Sequence, residues 1–144
     1  MNKRIESELV LLISKFSNIS FHKNNYDLTL NIKIKNINMK LLLINYPTKA
    51  PFVIINNIEY FNIINTLFFK KYLSEILSKN FICMRVISKL SYGKWTPFLK
   101  LTDIINEILY MINIKKRIVK RFLADKICDK YINNDLNFQI KKYI

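Results

Sequence analysis

The chain has 144 residues, of which 51% are hydrophobic and 13% aromatic, and its formal net charge is +14. This length predicts a single domain whose core needs no disulfide or metal for stability, and the apolar content excludes a disordered tail. The charge creates a positive potential that attracts nucleic acid, acidic protein surfaces or anionic membranes. The abundance of Ile, Asn and Lys is also typical of proteins encoded by AT-rich DNA, so charge alone does not identify a partner.

Several kinds of segment and site are not expected. No apolar stretch reaches the roughly 18 residues that span a bilayer, and Glu6 and Glu8 interrupt the region where a signal peptide would be apolar. We therefore expect no membrane span and an intracellular location, cytoplasmic or nuclear. Cys83 and Cys128 have neither the spacing nor the His partners of a zinc site, so no metal and no cofactor is predicted. His22, the only histidine, is expected to be structural or exposed.

Hydrophobic periodicity predicts an opening helix followed by an antiparallel sheet. The helix runs from Asn2 to about Ser17, and its apolar stripe is Ile5, Leu9, Leu12, Ile13 and Phe16. Its other face holds Lys3, Arg4, Glu6, Ser7, Glu8 and Lys15. Residues 26–34 and 39–46 alternate as two strands around a turn at 36–38, and 52–55 forms a third strand closed by Asn56 and Asn57. These segments predict a meander of three to four strands.

The second half of the chain is predicted to be mainly helical. A helix from Ile63 to Lys79 would present the stripe Ile64, Leu67, Phe68, Tyr72 and Ile76. An extended segment, 81–87, contains Cys83, and Gly93 marks a turn. Thr102 and Asp103 predict a helix N-terminus, with Ile104, Ile105, Ile108, Leu109 and Ile112 on the buried side. A separate basic helix, 116–131, is expected to bury Val119, Phe122, Leu123 and Ile127, and 133–144 to be a frayed helix or a tail.

Four short motifs occur in order along the chain: Lys3-Arg4-Ile5-Glu6-Ser7-Glu8-Leu9, Tyr46-Pro47-Thr48-Lys49-Ala50-Pro51, Ile82-Cys83 and Trp95-Thr96-Pro97. Together they resemble the ubiquitin-conjugating enzyme (UBC) family over nearly the whole chain. The resemblance implies a UBC-like α+β domain over residues 1–144. Its parts would be an N-terminal helix, an antiparallel meander sheet of three to four strands and two C-terminal helices, with a helical insertion at 63–80 before the cysteine.

The resemblance also implies a chemistry and a set of partners. Cys83 would carry ubiquitin or a ubiquitin-like modifier as a thioester and pass it to a lysine amine, and the amide of Asn62 would donate a hydrogen bond to the developing oxyanion. Lys3 and Arg4 would face the activating enzyme. Thr48, Pro97 and Phe98 would face a ligase.

Departures from the family pattern keep alternative functions open. Tyr60 and Phe61 replace the His and Pro of the family's His-Pro-Asn signature, and twenty residues separate Asn62 from Cys83 where the family has a short loop. The alternatives are a catalytically inactive UBC-like or RWD-like binding or scaffold protein, or a structural or assembly component of a virus or parasite that contacts other subunits or nucleic acid. Cys83 is then a core residue. Cys128 is expected to be structural under each hypothesis.

Overall fold

The structure is a computed structural model that describes residues 3–24, 27–65, 70–77 and 87–143, with the backbone alone at residues 70, 71 and 132–143. It has the expected α+β composition. In chain order the elements are α1 (Lys3–Lys15), β1 (Ile19–Asn24), β2 (Asp27–Ile34), β3 (Ile37–Leu43), β4 (Phe52–Ile55), β5 (Ile58–Glu59), α2 (Tyr60–Ile64), α3 (Lys70–Leu77) and α4 (Leu101–Tyr143).

The sheet has five strands, in the order β1-β2-β3-β4-β5, and every neighbouring pair is antiparallel. The meander is therefore confirmed, whereas the expected number of three to four strands was too low. β1 escaped the pattern analysis because its residues from Ser20 to Asn24 are all exposed, so it lacks the apolar alternation of a half-buried strand. β5 was missed because it spans only two residues.

Two tight turns set the register of the central strands. The β2–β3 turn is formed by Lys35 and Asn36, one residue earlier than predicted, and Lys35 has a φ of 52°. The β4–β5 turn is formed by Asn56 and Asn57 as predicted, with φ values of 48° and 66°. Asparagine tolerates this left-handed conformation better than most residues do.

The inner face of the sheet is built from aligned apolar rows. Leu30 of β2 pairs with Leu41 of β3, which pairs with Val53 of β4. All three are buried and belong to the same core cluster as the inward faces of α1 and α4. The alternation predicted from the sequence is therefore confirmed at these positions, where one face of each strand packs into the core.

The helical region between the sheet and α4 differs from the single predicted helix. α2 ends at Ile64, where Asn65 adopts an extended conformation with ψ of 95°, and α3 begins at Lys70. Ile64 is buried, and Tyr72 and Ile76 are partly buried against the core. Leu67 and Phe68 lie outside the described residues, as does the segment 78–86 that contains Cys83.

α4 is one continuous helix of 43 residues where two helices and a tail were expected. No Gly or Pro follows Pro97 in the sequence, so nothing in the backbone interrupts it. The predicted core residues Leu123 and Ile127 are 52% and 56% exposed, because Ile118, which precedes them, is the last fully buried side chain among the residues of α4 whose side chains are described. Within the described ranges, no helix is both long and apolar enough to cross a membrane.

The difference between the two halves of α4 predicts an asymmetry in stability. Ile118→Ala leaves a cavity in the core and should lower the free energy of unfolding by about 2 to 5 kcal/mol. Ile127→Ala, the same chemical change on the same helix, should cost less than about 0.5 kcal/mol because the side chain is already half in water. Urea denaturation of both variants measures the difference, and equal losses would mean that the distal half of α4 is packed.

Candidate functional site

The carboxylate of Glu8 joins the first helix to two distant parts of the chain. Glu8 is only 4% exposed, although the sequence pattern placed it on the solvent face of α1. Its Oε1 accepts a hydrogen bond from Arg4 Nε at 2.7 Å, and its Oε2 accepts from the Tyr46 hydroxyl at 2.7 Å and from the Leu101 backbone N–H at 2.8 Å. A buried charge is costly unless it is paired in this way.

The start of α4 is capped by carboxylates from two sides. Asp103 Oδ2 accepts a hydrogen bond from the Lys100 backbone N–H at 3.1 Å, and Glu8 takes the N–H of Leu101. The predicted N-terminus at Thr102 and Asp103 is therefore displaced to Lys100, because Asp103 reaches back to that residue. Both negative charges lie where the helix dipole favours them.

Two loops lie side by side because a tryptophan side chain of one binds the backbone of the other. We call residues 44–51 and 91–100 the loop pair. Trp95 Nε1 donates to the Pro47 carbonyl oxygen at 2.9 Å, and the ring of Trp95 lies 6.0 Å from that of Tyr46. Arg4 Nη2 donates to the Leu99 carbonyl oxygen at 3.0 Å, and its guanidinium carbon lies 5.8 Å from the centre of the Tyr46 ring. The loop pair is thus attached to α1 as well as to itself.

The second loop consists of two tight turns that hold aromatic side chains in solvent. In the first, the Lys94 N–H donates to the Ser91 carbonyl oxygen at 3.0 Å, and Gly93 supplies the φ of 78° that the turn needs. In the second, the Leu99 N–H donates to the Thr96 carbonyl oxygen at 3.1 Å, which puts Pro97 at its favoured second position. Tyr92 is fully exposed and Phe98 is 90% exposed.

The predicted partner-binding residues gather around this structure, although they do not all face solvent. Thr48, Pro97 and Phe98 are exposed on the loop pair, and Lys3 is exposed at the start of α1. Arg4 is partly buried, and its guanidinium is engaged by Glu8 and Leu99. Arg4 therefore has a structural role, and it also lies close to the predicted partner-binding surface.

The loop pair is basic as well as aromatic. Lys49, Lys94 and Lys100 are exposed in it, and neither of its two segments contains Asp or Glu. Ile44, at the start of the first loop, is 45% exposed. A partner with an apolar pocket and acidic groups around it would match this combination.

Only one of the two predicted catalytic residues lies in the part of the chain that the structure describes. Asn62 is an exposed residue of α2. Ile82 and Cys83 lie outside the described residues. Where the chain is described again, the carboxylate of Glu107 on α4 accepts hydrogen bonds from the Ser88 hydroxyl at 2.6 Å and from the Lys89 backbone N–H at 3.0 Å, which fixes this return segment to α4.

Two other sequence predictions concern possible reactive or metal-binding groups. Cys128, which was expected to be structural, is exposed on the distal half of α4, so, like Ile127, it does not fill space in the core. Among the described residues, no cluster of three or more His, Cys, Asp and Glu side chains is placed to hold a metal ion.

The buried hydroxyl of Tyr46 gives the Glu8 network a pH dependence. Burial raises the pKa of Tyr46 above its ordinary value of 10.0, and the hydrogen bond to Glu8 and the Glu8 charge raise it further. Tyr46 therefore keeps its proton in the folded state at a pH where the unfolded chain loses it, so its contribution to stability is complete below pH 10 and declines above it.

We expect Tyr46→Phe to lower the free energy of unfolding by about 1 to 3 kcal/mol at pH 7, because buried Glu8 loses a hydrogen-bond donor. Above pH 10 the difference in unfolding free energy between the two proteins should shrink by about 1.4 kcal/mol per pH unit. The wild type releases the Tyr46 proton when it unfolds, whereas the Phe variant has no such proton. Urea denaturation from pH 7 to 11 measures both effects. A difference that stays constant with pH would contradict the proposed protonation of Tyr46.

Comparison with protein-family models, with curated proteins and with solved structures found no match to this chain.

Proposed function

We propose that the chain is a protein-binding domain of UBC-like or RWD-like architecture, and that the loop pair contacts its partner. The order of elements supports this proposal. An opening helix, a meander, a Tyr-Pro loop and a Trp-x-Pro loop follow one another in the order that the resemblance implies, and one long helix stands where it implies two C-terminal helices. The extra strand β5 and the helices α2 and α3 precede the Trp-x-Pro loop, where the family's cysteine loop would be.

The exposure of Phe98 and Tyr92 on a fixed loop is the observation that carries the proposal. A single exposed apolar side chain is ordinary. Here two aromatic side chains project from consecutive tight turns, and the hydrogen bonds of Trp95 and Arg4 hold those turns. Aromatic residues dominate the binding energy of many interfaces, and a loop that is already ordered loses little conformational entropy on binding.

Truncation of Phe98 should weaken partner binding without affecting the fold. We expect Phe98→Ala to change the free energy of unfolding by less than about 0.5 kcal/mol, because the ring is exposed, and to weaken partner binding at least about 10-fold, as loss of a hot-spot aromatic does. The partner can be captured with a photo-crosslinking amino acid at position 98, with exposed Asn113 on α4 as the matched control position. Equal crosslinking at both positions, or an affinity unchanged by Phe98→Ala, would count against the loop pair.

Thioester formation on Cys83 is the second candidate function. The exposure of Asn62 favours it, because a residue that donates a hydrogen bond to the oxyanion must be accessible to the acyl group. Incubation with activating enzyme, modifier and ATP, followed by non-reducing electrophoresis, should then give a thiol-sensitive adduct. Cys83→Ala should abolish the adduct, whereas Cys128→Ala, at the exposed second cysteine, should leave it intact.

Asn62→Ala tests the oxyanion role within the same assay. Loss of one such donor slows acyl transfer about 100- to 1,000-fold, so the adduct should form but discharge slowly to lysine. If several modifiers give no adduct on Cys83, the thioester hypothesis fails and the binding function is unaffected.

A further inference from the structure

The distal half of α4 carries large apolar side chains that are more than half exposed. Phe122 packs edge-on against Tyr72 of α3, with ring centres 6.2 Å apart. After that contact Leu123, Ile127 and Tyr131 are 52%, 56% and 64% exposed. Their spacing of four residues puts them on the same side of the helix.

A basic groove adjoins this apolar side. It lies between α3 and α4, has a volume of about 560 Å³, and is lined by Glu75, Ile76, Arg117, Lys120 and Arg121. Its lining contains three cationic side chains and one carboxylate. Arg121 Nε also lies 3.5 Å from Asp125 Oδ1. This ion pair is largely exposed to solvent and contributes little to the stability of the fold.

The cationic and apolar residues form one surface, which we call the α4 strip. Its members are Arg117, Lys120, Leu123, Ile127 and Tyr131. Steps of three or four residues connect Lys120 to Leu123, Ile127 and Tyr131, so the basic end and the apolar end face the same side. From Arg117 to Tyr131 the strip is about 21 Å long at 1.5 Å per residue, which is about four helical turns.

We propose that the α4 strip binds an acidic amphipathic helix of a partner protein. The helix would lay apolar residues spaced three and four apart on Leu123 and Ile127, as amphipathic helices do in apolar grooves. Its Asp and Glu residues would lie beside Arg117 and Lys120. This surface is separate from the loop pair, since about 24 Å of helix separate Leu101 from Arg117 at 1.5 Å per residue.

Charge and side-chain type select this occupant over two others. A second copy of the chain would bring another net charge of +14 to a basic surface, and the repulsion disfavours self-association. Nucleic acid would be held by the basic end and could stack one base on Tyr131, but aliphatic Leu123 and Ile127, which lie between them, offer neither phosphate contacts nor a stacking surface. An acidic amphipathic helix uses both ends of the strip.

The test is selection of 20-residue helical peptides from a display library on the full chain, followed by affinity measurement with the best fluorescent peptide. We expect selected sequences with acidic residues toward one end and apolar residues at helical spacing toward the other. Arg117→Glu with Lys120→Glu, and separately Leu123→Glu with Ile127→Glu, should each weaken binding at least 10-fold. Lys33→Glu with Lys40→Glu, an equal change of charge at exposed sites on the outer face of the sheet, should not.

Each of three results would overturn the proposal. Selected peptides without acidic residues, or an affinity that neither strip variant changes, would show that the strip does not bind such a helix. Micromolar dimerisation abolished by Leu123→Glu would assign the strip to a second copy. Failure of the selection, together with binding of a 20-nucleotide RNA that Arg117→Glu and Lys120→Glu abolish, would assign it to nucleic acid. Circular dichroism of every variant establishes that α4 is intact.

Discussion

The buried carboxylate of Glu8 is the interaction on which the arrangement of the loops and the long helix depends. It is the meeting point of three segments that are far apart in sequence: α1, the Tyr46 loop and the first residue of α4. Because a buried carboxylate without partners costs several kcal/mol, each segment is held to the position that keeps Glu8 paired. The Tyr46 hydroxyl also lies 3.1 Å from the Leu99 carbonyl oxygen. A hydroxyl has one proton, and the shorter, charge-assisted bond to Glu8 takes it.

The position of α4 follows from that network. Glu8 and Asp103 fix its first turn beside the loop pair, and Ile104, Ile105, Ile108 and Ile114 then pack the next turns on the core. Since no helix-breaking residue follows, the helix continues past Ile118, the last fully buried side chain among those described on it. The same helix therefore starts beside the loop pair and carries the α4 strip, whose far residue Tyr131 lies roughly 45 Å from Leu101 at 1.5 Å per residue.

Local patterns predicted most of the architecture, and long-range pairing accounts for most of the errors. Three features could be predicted because each depends on residues that are neighbours in sequence. They are the alternation in β2 and β3, the Asn56–Asn57 turn and the buried start of α4. Thr48, Pro97 and Phe98 were singled out only through the family resemblance carried by the Tyr-Pro and Trp-x-Pro motifs, and the structure places all three at the surface. Glu8 was misplaced because its partners are 38 and 93 residues away. One signal was available: Glu8 lies between Ile5 and Leu12 at helical spacing, within the apolar stripe itself. The continuity of α4 could likewise have been predicted, because its sequence contains no Gly or Pro.

The positive charge of the chain acquires a specific meaning from where apolar residues accompany it. On the outer face of the sheet, Lys33 is exposed beside the exposed polar residues Asn31 and Asn38, and a surface of that kind attracts anions without binding any particular partner. At the loop pair and at the α4 strip, basic residues instead surround exposed aromatic and aliphatic side chains. Charge accelerates association and excludes basic partners, whereas apolar contact slows dissociation. Under the two proposals together, the loop pair beside the first turn of α4 and the α4 strip on its distal half would hold two acidic partners at separate places on one helix, a scaffold function that would require no reactive cysteine.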